Sequence, residues 1–168
     1  MRSSVCLVLV LCLMPVAQFG VALCAEEVRF EPTVRRALAL LPRRPGTIAV
    51  IDANDAKPDV REQLLKLDAF VLRGRGVIYL VNQSAVLQGA ARGSQVLDYV
   101  LAAIIWHEMA HLEGAQEPEA QRREQELWTT YIRDERVDPV IGLRYLEALR
   151  ARESGDVLFV SGAASALP

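Results

Sequence analysis

The chain has 168 residues, of which 52% are hydrophobic and 24% charged, and its formal net charge is −2. This length corresponds to one domain of ordinary size, and the composition allows a buried core. A slightly acidic chain with scattered arginines lacks the basic surface typical of nucleic-acid-binding proteins, so we expect no nucleic-acid partner.

Residues 1–25 have the pattern of a secretory signal peptide. Arg2 supplies a short positive region, an apolar run follows over 5–16, and small residues stand at Gly20 and Ala25. The apolar run is shorter than the roughly 20 residues that a membrane span needs. We therefore expect cleavage near Ala25, no stable membrane span after processing, and an exported protein that is periplasmic or secreted.

All three cysteines lie in this first segment, at Cys6, Cys12 and Cys24. A chain cut after Ala25 therefore has neither a disulfide nor a thiolate ligand. Any metal site in it must use histidines and carboxylates, which suits a catalytic zinc better than a structural one. Lipid attachment at Cys24 is the alternative, although Leu23 is large for a residue beside a cleavage site.

The segment up to residue 81 predicts helices around a small sheet. Helical spacing occurs over 32–41 and 60–67, and a β-branched run over 47–51 predicts a buried strand. Two further apolar runs, 69–72 and 77–81, flank a glycine-containing turn and predict a hairpin.

A long apolar run then leads into the only two histidines of the chain. Residues 94–106 carry apolar side chains at helical spacing behind Ser94, a typical N-cap residue, and His107 to His111 read H-E-x-x-H. Side chains four positions apart lie on one helix face, so both histidines can bind one Zn²⁺. Glu108, one step round the helix, can act as general base on a metal-bound water.

The residues after the motif predict a turn and a second helix. Gly114 is placed to end the motif helix in a left-handed conformation, and Pro118 suits the first turn of the next helix. With a connection this short, the second helix should run antiparallel to the first.

A catalytic zinc normally has three protein ligands, and helical phase separates the acidic candidates for the third. Glu117 and Glu124 fall on the apolar side of the second helix. Glu119 and Glu126 point away and are interpreted as solvated charges, and Glu113 lies off the histidine face. We expect Glu117 or Glu124 as the third ligand, and the other as an acceptor for a histidine N–H.

The segment from His107 to Glu117 reads H-E-x-x-H-x-x-G-x-x-E and resembles the zincin metallopeptidases. It is similar to the metzincin frame, with Glu117 at the position of the last ligand, although no methionine follows Met109. The string E-x-x-A-Q from Glu117 is also similar to the gluzincin E-x-x-A-D or E-x-x-A-N, with Gln121 as the departure. Both resemblances imply Glu117 as zinc ligand, with Glu124 as the alternative.

The resemblance implies a zinc metallopeptidase that cuts a peptide or protein substrate with a zinc-activated water and Glu108 as general base, and the signal-peptide pattern makes it an exported one. It also implies that the strand Val77–Val81 lines the cleft and pairs with an extended substrate. The oxyanion would be stabilised by Tyr131, Tyr145, an arginine or no side chain. The alternatives are a zinc-binding scaffold protein that cleaves nothing, against which the intact Glu108 argues, and a hydrolase of non-peptide amides.

Taken together, these elements predict one α+β domain over 26–153. In it, a small sheet with a hairpin packs against the motif helix and the antiparallel helix that follows. Residues 154–168, rich in Ser, Ala and Gly, are interpreted as a weakly ordered tail.

Overall fold

The computed structural model describes residues 29–153. The predicted signal peptide (1–25) and C-terminal tail (154–168) lie outside the described residues. The described part is α+β, which confirms the predicted fold class. Its helices and strands are α1 (29–39), β1 (Thr47–Ile51), α2 (Pro58–Leu64), β2 (Ala69–Val71), β3 (Val77–Val81), α3 (Ala85–Ala91), α4 (Gln95–Leu112), α5 (Glu117–Arg133) and α6 (Pro139–Glu153), with a 3₁₀ turn at Ala53–Asp55.

The three strands form one mixed sheet in the order β1-β3-β2. β2 and β3 pair antiparallel, with Phe70 opposite Tyr79, which confirms the predicted hairpin. β1 pairs in parallel with the other side of β3, from Thr47 opposite Val77 to Ile51 opposite Val81. β3 is therefore the central strand, and its backbone is hydrogen-bonded on both sides. The expectation that Val77–Val81 pairs with an extended substrate is wrong, because β1 occupies that edge.

The first two helices differ from their predicted bounds. Helix α1 already includes residue 29 and ends at 39, where the predicted helix covered 32–41. Helix α2 covers Pro58–Leu64 rather than 60–67, since Pro58 fits the first turn of a helix and the chain leaves the helix after Leu64. A third helix, α3, was not predicted at all; the Ser84 side chain caps it by accepting the Leu87 N–H.

Helix α4 is the centre of the core. It packs against β2 and β3 on one side and against α3 and α5 on others. Val100, Ala102 and Ile105 are fully buried, which confirms the prediction of a mostly buried helix. Ser94 stands at the predicted N-cap position, although its side chain makes no capping hydrogen bond. Among the helices of the described part of the chain, none has the length and apolar character that crossing a membrane requires.

Helix α6 is held against α5 by one close backbone approach. The Trp128 indole N–H donates to the Gly142 carbonyl over 2.9 Å, and the Trp128 ring lies against that of Tyr145 with centroids 4.1 Å apart. A Cβ at Gly142 would lie only 2.4 Å from a carbon of Ile132, so glycine is what allows this contact. The packing fixes where the first two turns of α6 lie relative to α5.

Candidate metal site

The turn between α4 and α5 brings the ends of these helices together. Gly114 has φ +91°, as predicted for a residue that ends a helix in the left-handed region. The Ala115 N–H donates back to the Ala110 carbonyl over 2.9 Å, which closes the turn. Pro118 lies in the first turn of α5, also as predicted. The chain reverses within this short turn, so that Glu117 comes to lie beside His111.

An ion-pair network anchors this turn to the rest of the fold. Glu113, at the end of α4, accepts from Arg123 of α5 over 2.7 Å with one oxygen and from Arg43 with the other. The hydrogen bonds to Arg123 and Arg43 lower the pKa of Glu113. The Arg43 guanidinium also lies over the Trp106 ring, 5.3 Å from its centroid. Exposed ion pairs contribute little individually, but here two arginines from different segments restrain one turn residue.

Three side-chain atoms converge at the C-terminal end of α4. The Nε2 atoms of His107 and His111 are 3.1 Å apart, and Oε2 of Glu117 lies 3.6 Å from the first and 3.2 Å from the second. Tetrahedral zinc with bonds of about 2.0–2.1 Å would hold its ligand atoms about 3.3–3.4 Å apart. The three measured separations bracket this value, so the group could hold a metal ion.

The opposite nitrogen of each histidine ring is fixed by an oxygen acceptor. Nδ1 of His107 lies 3.0 Å from Oε2 of Glu124, and Nδ1 of His111 lies 3.0 Å from the Ala115 carbonyl. A carboxylate and a carbonyl oxygen only accept, so each Nδ1 must carry the hydrogen. When neither ring carries a second proton, both Nε2 atoms present lone pairs to the same point, which is the tautomer that a metal requires.

Glu124 is the buried carboxylate of the site. It is only 4% exposed, and each of its oxygens has a partner. Oε2 contacts Nδ1 of His107, and Oε1 accepts the Tyr145 hydroxyl over 2.7 Å. One of the two glutamates was expected to approach the metal position and the other to accept a histidine N–H. In the structure Glu117 lies beside the Nε2 atoms of both histidines, and Glu124 lies beside the Nδ1–H of His107. The ligand role of Glu117 itself stays a prediction.

The two outward carboxylates lie where helical phase predicted. Glu119 pairs with Arg122 over 2.7 Å and with Arg123 over 2.9 Å, and Glu126 pairs with Arg122. Both glutamates are on the exposed side of α5, away from the histidines. Helical phase predicted the burial of Glu124, but the Glu117 side chain, which it also placed on the inward side, is 58% exposed against 38% for Glu119. Glu119 and Glu126 are neutralised by arginines rather than available to a metal.

The electrostatics of the cluster favour a cation between its members. Burial opposes a charge on His107, but hydrogen bonds to Glu117 and Glu124 outweigh it and raise the pKa of this ring to about 10. The hydrogen bond from His107 lowers the pKa of Glu117 to about 2, against the effect of burial. Without a metal, the cluster therefore stabilises an extra proton, and a metal ion must displace that proton to bind.

Glu108 lies next to this cluster and is only 9% exposed. Burial raises its pKa, while the charges of His107 and His111 act in the opposite direction. Within the part of the chain that the structure describes, the side chain of Glu108 makes no hydrogen bond and no ion pair. Buried carboxylates are normally hydrogen-bonded, so one without a partner beside two histidines requires an explanation.

The tyrosine candidates for oxyanion stabilisation are both used elsewhere. The Tyr131 hydroxyl donates to the Leu40 carbonyl over 3.1 Å, and the Tyr145 hydroxyl donates to Glu124. A hydroxyl has one hydrogen to donate, so neither can also donate to an oxyanion in this arrangement. The sequence alone did not link Tyr145 to the histidines, because that link depends on how α6 packs.

Comparison with known proteins found no match for this chain, neither to a family model nor to a curated protein nor to a solved structure.

Proposed function

We propose that the protein is a zinc metallopeptidase, with His107, His111 and Glu117 as metal ligands and Glu108 as general base. One observation carries the proposal. Three ligand atoms converge at separations suited to a tetrahedral ion, next to a buried carboxylate that has no other use in the described fold.

The donor set supports zinc as the metal. Two imidazole nitrogens and one carboxylate oxygen make the three-ligand set of many catalytic zinc sites, with a fourth position left for water or substrate. The side chains of His107, His111 and Glu117 are 14%, 22% and 58% exposed, so solvent can reach the cluster from the Glu117 side. A closed structural site would be fully coordinated by protein and shielded from solvent.

The residues of the chain have distinct tasks in the proposed hydrolysis of a peptide bond. When bound, zinc would lower the pKa of a coordinated water to about 7 and polarise the scissile carbonyl. Glu108 accepts the proton from the attacking water on a carboxylate oxygen and delivers it to the leaving amine nitrogen. His107, His111 and Glu117 hold their ligand atoms in place throughout.

The competing proposal is a zinc-binding scaffold protein without activity. Its metal ligands would be the same, so the ligands do not discriminate between the two. Glu108 does, because a scaffold gains nothing from a buried carboxylate that lacks a partner, and burial of such a group costs free energy. We therefore favour the enzyme, and cleavage of a non-peptide amide is one outcome of the test.

We also propose that the protein is exported and acts outside the cytoplasm on a peptide or protein substrate, without a nucleic-acid partner. The charged first segment, the apolar run and the small residues near Ala25 support export.

The proposal is tested with the purified, processed protein and its Glu117→Ala variant. We expect about one zinc per chain in the wild type, strongly reduced zinc in the variant, and cleavage of a broad peptide library that a chelator abolishes. Zinc without chelator-sensitive cleavage of peptides, or of simple amides supplied in parallel, would favour the scaffold protein. Cleavage of the amides alone would retain the enzyme and replace its substrate. Absence of zinc would contradict both.

A further inference from the structure

A buried hydrogen-bond chain connects helix α6 to the proposed zinc ligand His107. It runs from the Tyr145 hydroxyl to Oε1 of Glu124 over 2.7 Å, and from Oε2 of Glu124 to Nδ1 of His107 over 3.0 Å. Tyr145 and Glu124 are 3% and 4% exposed. The chain is thus shielded from water, and hydrogen bonds in such an interior are electrostatically stronger than in water.

The direction of each hydrogen bond in this chain follows from its members. The Tyr145 hydroxyl donates to one oxygen of Glu124, so that oxygen is an acceptor. The second oxygen then accepts from His107, because an ionised carboxylate has no hydrogen to donate. With its hydrogen on Nδ1, the His107 ring can offer only Nε2 to a metal.

Without the Tyr145 hydroxyl, one oxygen of Glu124 would be buried and unsatisfied. Such a carboxylate can rotate to reduce the cost of burial. Rotation removes the acceptor that fixes the orientation and tautomer of the His107 ring. The hydroxyl therefore acts on the metal ligand through Glu124, without touching the metal.

We propose that Tyr145, through Glu124, is a positioning residue for His107, and that α6 is thereby part of the metal site. This inference rests on the proposed function, since it assigns Tyr145 a role in holding a zinc ligand. The packing of Trp128 against Gly142 and Tyr145 sets where the hydroxyl lies. Carboxylate partners of metal-bound histidines typically contribute about 10–100-fold to metal affinity.

The test compares Tyr145→Phe with a matched control, Tyr131→Phe, in the processed protein. Both substitutions remove a hydroxyl from a buried ring, but the Tyr131 hydroxyl contacts the Leu40 carbonyl and not the site. We expect Tyr145→Phe to lower the affinity for Zn²⁺ in competition with a chromogenic chelator, by up to about 10-fold, which is the lower end of the effect of losing a direct partner of the histidine. Tyr131→Phe should retain the wild-type affinity.

A second measurement does not depend on whether the variants fold. In zinc-loaded wild type, two-bond ¹H–¹⁵N spectra of the histidine rings should show His107 metallated at Nε2, with an Nδ1–H that exchanges slowly with water. An unprotected Nδ1–H, or equal zinc affinity in Tyr145→Phe and wild type, would overturn the inference and leave the proposed function intact. A wild type that takes up no zinc would overturn both.

Discussion

The Nε2 atoms of His107 and His111 face each other across 3.1 Å, while the Nδ1 atom of each ring contacts an oxygen acceptor. Two ring nitrogens whose lone pairs point at each other repel unless a proton or a metal ion lies between them. The oxygen of Glu117, 3.2 Å from Nε2 of His111, adds negative charge at the same point. Protonation and metal loading are therefore alternative ways to stabilise one arrangement of side chains.

The proposed metal ligands should be separable from nearby carboxylates by substitution. His107→Ala and His111→Ala should each abolish tight zinc binding, because each removes one of the three proposed ligands. Glu119→Ala is the matched control, since Glu119 is on the same helix as Glu117 but pairs with arginines. Titration calorimetry of the metal-free proteins measures the affinities. Equal loss in all three variants would contradict the phase argument, which makes Glu119 a solvated charge that does not bind the metal.

Glu108→Gln should separate catalysis from metal binding. Glutamine has nearly the same shape as glutamate but cannot accept the proton, and general-base assistance is worth about 10²–10⁴ in rate. The variant should be folded, fully loaded with zinc and slower by that factor in the peptide-library assay. Wild-type activity in the variant would show that another group takes the proton.

The metal-free protein should lose stability at alkaline pH. The pKa of His107 rises from 6.5 to about 10, because hydrogen bonds to Glu117 and Glu124 outweigh burial. A group whose pKa is raised in the folded state contributes its full stabilisation at a pH below the pKa of the unfolded state. This contribution is lost as the pH rises through the pKa of the folded state. Urea denaturation in the presence of a chelator should show that the free energy of unfolding declines between about pH 6 and pH 10. In Glu117→Gln this decline should be smaller. A flat profile would contradict the charged His107.

Gly142→Ala should destabilise the protein by disturbing the contact between α5 and α6. The new Cβ would lie 2.4 Å from a side-chain carbon of Ile132, and overpacking of this kind typically costs about 1–3 kcal/mol. Gly46→Ala is the control, because a Cβ there meets no atom within 4 Å. Urea denaturation gives both free energies of unfolding. Equal stability of the two variants would show that α6 can shift without cost.

Processing should remove the first segment of the chain. Mass spectrometry of the exported protein should give a mass that corresponds to cleavage near Ala25, as the charged, apolar and small-residue regions predict. An intact Met1, or a lipid on Cys24, would contradict this prediction.

Local features of the fold could be predicted from the sequence because their causes are local. The β-branched run 47–51 forms β1 with the predicted bounds, although β1 is an edge strand in which only Val50 is buried and not the buried strand that was expected. Gly114 takes the left-handed conformation that ends α4, and helical phase separated Glu124, which is buried, from Glu119, which is not. Each of these outcomes depends on side-chain periodicity or on one residue's backbone preference.

Features that depend on distant contacts could not be predicted in the same way. β3 is central because it pairs with β1, from which it is separated in sequence by α2 and β2. The alternation of side chains along a strand does not specify which strand it pairs with. Helix α3 is not predicted by the sequence pattern, since Gly89 within it lowers helix propensity. The reason for this glycine lies in α4: a Cβ at position 89 would lie 2.1 Å from the Leu97 side chain. Tyr145 joins the site only through the packing of α6.

All side chains of the candidate site come from the continuous segment 107–145, and none comes from the sheet. The contacts that define it join residues close in sequence, such as His111 with Glu117 and His107 with Glu124. Local contacts close short loops and form early, whereas the parallel pairing of β1 with β3 must close a longer one. The helical hairpin α4–α5 can therefore bring the residues of the candidate site together before the sheet is complete, and a metal ion held there would speed folding by stabilising that hairpin.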